Sequence, residues 1–110
     1  MNYQTQRVAV AQEINGQAEI TGAGLAVLLG VTVAEVDEQC EPQAGLSGLP
    51  PGWRQLGQRR VREAQIRTGR KSAGSVLMYW ATKRFGIRAE FDYDADTGTL
   101  WMLLDAGEVI

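Results

Sequence analysis

Glycine recurs thirteen times in this 110-residue chain, and several of these glycines mark where elements turn or stop. Asn15-Gly16 is a strong two-residue hairpin signal, because both positions must take positive φ. The flanking run Arg7-Val8-Ala9-Val10-Ala11 alternates in the manner of a strand. Ala, Gln and Glu at 9–13 also admit a short helix ending at Gly16. We read this segment as strand-like. Thr21 can cap a helix through Leu25, Ala26, Leu28 and Leu29 that stops at Gly30. Thr32 can cap a second helix, with Val33 and Val36 as its apolar positions. Pro42, Gly45, Gly48, Pro50 and Pro51 then mark a linker.

Beyond the linker, Trp53 to Thr68 suits a helix stopped by Gly69. Trp53, Val61, Ala64 and Thr68 fall in one arc, and arginines hold much of the remainder. Ser72 caps a further helix ending at Gly86. Apolar residues lie nearly all round it (Val76, Leu77, Met78, Tyr79, Trp80, Phe85), so it is buried centrally or shared with another subunit. Ile87, Ala89, Phe91 and Tyr93 alternate with charged residues, and Thr99 to Leu104 returns. The intervening Asp94-Ala95-Asp96-Thr97-Gly98 is a turn with Gly where positive φ is wanted. The return strand is apolar on both faces and should pack on two sides.

Charge is as segregated as structure. Residues 1–52 carry one base against six acids, residues 53–88 ten bases against one acid, and residues 89–110 six acids and no base. The net charge of −2 therefore conceals a basic middle between acidic ends. A concentrated positive field attracts polyanions whatever the total. Arg54, Arg59, Arg60, Arg62, Arg67, Arg70 and Lys71 carry most of it, and the planar fork of arginine suits phosphate.

Absences narrow the chemistry. The chain has no histidine and one cysteine, Cys40. Structural zinc needs about four Cys/His ligands, and His-dependent acid–base or triad catalysis has no residue to use. No intrachain disulfide can form, and Cys40 reads as a small buried hydrophobe near a helix end. Paired carboxylates or an activated nucleophile do not emerge from spacing, so no enzyme and no cofactor is expected. No apolar run approaches a membrane span, and the first residues lack a signal-peptide pattern; the expectation is a cytoplasmic protein. Asp92-x-Asp94-x-Asp96-Thr97-Gly98 is similar to the start of a calcium loop, but Gly falls late and Leu103 stands where glutamate is needed. Gly69-Arg70-Lys71-Ser72 lacks the upstream glycine of a phosphate loop, yet it can lend Arg70, Lys71 and a helix N-terminus to a phosphate.

The run Leu25-Ala26-x-x-Leu29-Gly30-Val31-Thr32-x-x-x-Val36 resembles the helix-turn-helix segment of bacterial and phage DNA-binding proteins. In that pattern Ala26 allows close helix approach, Gly30 takes the turn and Val36 seats the second helix. The resemblance covers residues 21–40 and implies DNA binding and transcription regulation. It departs where bases would be read: Glu35, Asp37 and Glu38 occupy the second helix and repel phosphate. Base reading is therefore left unassigned.

The expected fold is one α+β domain over residues 1–110, winged-helix-like. It comprises an acidic helix-turn-helix-like part (1–41), a Pro/Gly linker (42–52), then basic helices and a C-terminal hairpin that can act as a wing (53–110). The expected function is a small prokaryotic or phage DNA-binding protein, regulatory or architectural. Arg54, Arg59, Arg60, Arg62, Arg67, Arg70 and Lys71 would hold the phosphates of duplex DNA. The alternative is a protein–protein interaction or assembly module, a phage structural protein or an inhibitor of a host protein. Its basic middle would meet an acidic surface or another copy in a homo-oligomer.

Overall fold

The computed structural model describes residues 5–39, 49–86 and 89–110. Among these residues the fold is α+β, with four helices and one four-stranded antiparallel sheet of order β2-β1-β4-β3, on which α1 and α4 pack. Strands β1 (Thr5–Ile14) and β2 (Gln17–Ile20) form the N-terminal hairpin. Asn15 at φ 52° and Gly16 at φ 80° make the tight turn that their sequence signals. Cys40, most of the Pro/Gly linker, Ile87 and Arg88 lie outside the described residues.

A bulge in β1 sets the entry to the helices. Ala9 pairs with Trp101 and Ala11 with Leu100, so Val10 is an extra residue between them. Val10 O accepts from Thr21 N at 3.1 Å, one step beyond the Ala11↔Ile20 pair of the hairpin. Thr21 Oγ1 donates to Ala9 O at 2.6 Å and accepts from Gly24 N at 3.1 Å. One hydroxyl thereby caps helix α1 (Gly22–Leu29) and fastens it to the strand. Gly24 is indispensable there: a Cβ would collide with Val10 O and the Ile20 side chain.

Helix α1 stops at Gly30, in the left-handed region at φ 72°. Helix α2 (Val33–Gln39) starts from a reciprocal cap, Thr32 Oγ1 accepting from Glu35 N at 3.1 Å and Glu35 Oε1 accepting from Thr32 N at 3.3 Å. Its one buried residue is Val36. Helix α3 (Pro51–Thr68) starts two residues before Trp53, because Pro51 presets the first helical φ and Pro50 O accepts from Trp53 N and Arg54 N. Gly69 ends it, and Ser72 Oγ, accepting from Ser75 N, opens α4 (Ala73–Phe85).

The apolar circumference of α4 is explained by a central position, packed on α1, α3 and β1. Val76, Leu77, Trp80, Ala81 and Phe85 are buried, and Met78 is left 46% exposed. Strands β3 (Glu90–Asp94) and β4 (Thr99–Asp105) close the sheet around the Gly98 turn. β4 also pairs with β1 from Thr5↔Asp105 to Gln12↔Thr99, so the hairpin expected as a wing is continuous with the sheet. Met102 and Leu104 point into the core. On the opposite face the Arg7 guanidinium lies 4.0 Å over the Trp101 ring, covering the second apolar side of β4. A single cluster of buried side chains joins β1, α1, α3, α4 and β4.

Candidate nucleic-acid interface

Helix α3 spans about 27 Å at 1.5 Å per residue. Gly57, Val61 and Ala64 turn toward α1 and α4, and Ala64 is fully buried. The opposite side follows from the same periodicity. Arg59, Arg62 and Arg67 are exposed and outline one shallow basin of about 640 Å³ with Glu63 and Ile66. Arg54 is exposed in the first turn, on the side of α3 that faces α1. Arg70 and Lys71 are exposed in the link to α4, where Arg70 N donates to Thr68 Oγ1 at 3.1 Å.

Arg60 is placed differently from the other six residues expected to hold phosphate. It is half-buried; its Nη1 donates to Leu28 O at 2.8 Å, and its guanidinium lies 4.1 Å over the Trp80 ring. Trp80 Nε1 returns a bond to Arg60 O at 2.9 Å. Leu28 O is one of the carbonyls that a helix end leaves without an internal partner. The Arg60 side chain thus braces the α1 turn instead of facing solvent. Its position carried a signal: on a helical wheel it falls about 20° from Trp53 and about 40° from Ala64, at the margin of the buried arc.

Arg84 is a second brace, and no local pattern in the sequence marks it. Its Nη1 donates to Val31 O at 2.7 Å and Ala26 O at 3.4 Å, and its Nη2 donates to Val109 O at 3.1 Å. Burial pushes the guanidinium pKa below its ordinary value, and the charges of Glu35 and Glu108 act in the opposite direction. Arg60 and Arg84 together hold both sides of the turn between α1 and α2. The acids divide similarly. Glu63 accepts from the Tyr79 hydroxyl at 3.0 Å and Glu35 serves its cap, while Asp37 and Glu38 stand exposed on α2.

The arrangement offers one rigid helix face with three guanidinium groups, flanked by two further cations in the next turn. Such a face can donate several charge-assisted hydrogen bonds to oxyanions held at fixed spacing. Among the described residues no helix is long and apolar enough to cross a membrane. Comparison of the chain with protein-family models, with curated proteins and with solved structures finds no match.

Proposed function

We propose that this is a small prokaryotic or phage DNA-binding protein, regulatory or architectural, that grips the phosphate backbone through α3. One observation supports this above the rest: Arg59, Arg62 and Arg67 share the same exposed basin on a rigid helix. Arg54, Arg70 and Lys71 extend the cationic surface, and Arg60 contributes by fixing the α1 turn. The acidic α2 faces away from this role, so affinity comes from charge and binding is weakly selective for sequence. A mobility-shift series with duplex DNA across salt concentrations tests the reading. Binding should fall steeply with salt, and changing Arg59, Arg62 and Arg67 together to Gln should lower the slope of log K against log salt by about 3. Equal binding by wild type and variant would reject it.

A protein partner is the second reading, favoured by Ile66, which stands 73% exposed amid the arginines. An apolar side chain ringed by cations suits an acidic protein surface, including that of another copy. A stable oligomer in sedimentation that ignores DNA at low salt would select this reading over the first.

A further inference from the structure

A groove of about 760 Å³ runs between α1 and α3, on the flank of α3 turned away from α4. Its volume falls within the range of roughly 300–1,000 Å³ typical of small-molecule sites. Leu25, Leu28, Leu29, Trp53 and Val61 supply an apolar lining. Along the α3 rim, Arg54, Gln58, Arg62 and Gln65 follow one another at helical spacing and form a continuous ridge of donors. Among the described residues, none that lines the groove is acidic. We propose that this groove binds a small amphiphilic acid, its chain or ring on the leucines and its carboxylate on the Arg62 side of the rim.

Gly57 provides an independent reason. Glycine weakens a helix interior, and Gly57 sits mid-way along α3. Close packing does not require it: an added Cβ would meet Leu29 Cδ2 at 3.6 Å and Leu28 Cδ2 at 3.9 Å, both ordinary contacts. What the missing side chain does is leave the groove floor open. Gly24, whose Cβ would strike a backbone carbonyl, shows what a sterically required glycine looks like in the same protein. The site stands whether or not the arginine face of α3 meets nucleic acid.

The test titrates dodecanoate and dodecyltrimethylammonium, each below its micelle concentration, into the full chain by calorimetry, with tryptophan fluorescence as a second readout. Dodecanoate should saturate one site per chain and bind at least about tenfold more tightly than the cation. Arg62→Gln should weaken dodecanoate several-fold and leave the cationic amphiphile unchanged. Gly57→Leu, which fills the groove and improves helix propensity, should abolish dodecanoate binding without lowering the melting temperature. Equal affinity for the two head groups, binding at many sites per chain, or a Gly57→Leu variant that binds normally would each overturn the proposal. So would a concentration-dependent dimer that excludes dodecanoate, since the groove would then belong to a second copy.

Discussion

Helix α1 has eight residues and buries five of them; the adjoining α3 has eighteen and fully buries only Ala64. α1 carries no charged residue, whereas α3 carries five arginines. The short helix is positioned by packing, by a cap shared with the β1 bulge, and by two arginine side chains reaching its last turn. The long helix leans on it through a narrow seam and keeps most of its circumference in solvent. The difference shows how one small core can hold a rigid platform and still present a charged surface. The longest helix fully buries a single residue and gives the rest of its surface to solvent and partial contacts.

The same substitution in the two helices should have opposite signs. Gly24→Ala drives a Cβ into Val10 O and should destabilise by about 3 kcal/mol in denaturant unfolding. A stable variant would mean that the bulge can move. Arg60→Met keeps the aliphatic stem but leaves Leu28 O without its donor; a loss of about 1.5 kcal/mol is expected. If that variant instead kept full stability and lost DNA affinity, Arg60 would belong with the exposed arginines. Gly57→Ala meets open contacts and gains helix propensity, which should stabilise by about 0.5–1 kcal/mol. Changing Arg59 and Arg62 to Gln should shift stability by less than about 0.5 kcal/mol, as both are exposed. A larger loss would show that the α3 face supports the fold after all.

What could be read from the sequence was whatever depends on a few neighbouring residues. Asn15-Gly16, Thr21, Gly30, Thr32, Gly69, Ser72 and Gly98 each dictate a turn or a cap through their own stereochemistry, and each sits where its chemistry requires. Helical period sets Arg59 and Arg62 well away from the buried arc, but it leaves exposed Arg67 only about 20° from half-buried Arg60 and so does not tell the two apart. The pairing of β1 with β4 was not legible, because nothing near Thr5 specifies a partner one hundred residues away. The helical wheel sets Arg60 at the margin of the buried arc, but what it bonds, like what Arg84 bonds, does not show there, for a related reason. Their partners are backbone carbonyls of α1, the turn after it and Val109, and a carbonyl has no sequence signature. An all-round apolar helix likewise reads the same whether its cover is another subunit or its own sheet; for α4 the cover is internal.

The central strand pair also governs how the chain reaches this state. β1 and β4 come from opposite ends of the described residues, and every helix lies between them in the sequence. Each hairpin can form locally within microseconds. Joining the two halves of the sheet requires closing nearly the whole chain into a loop, a toll in entropy levied before the pairing repays it. The domain should therefore fold on the slower, millisecond-to-second side of its size class. During synthesis its arginine helix emerges before β4, and so before the sheet that backs α1 and α4 is complete.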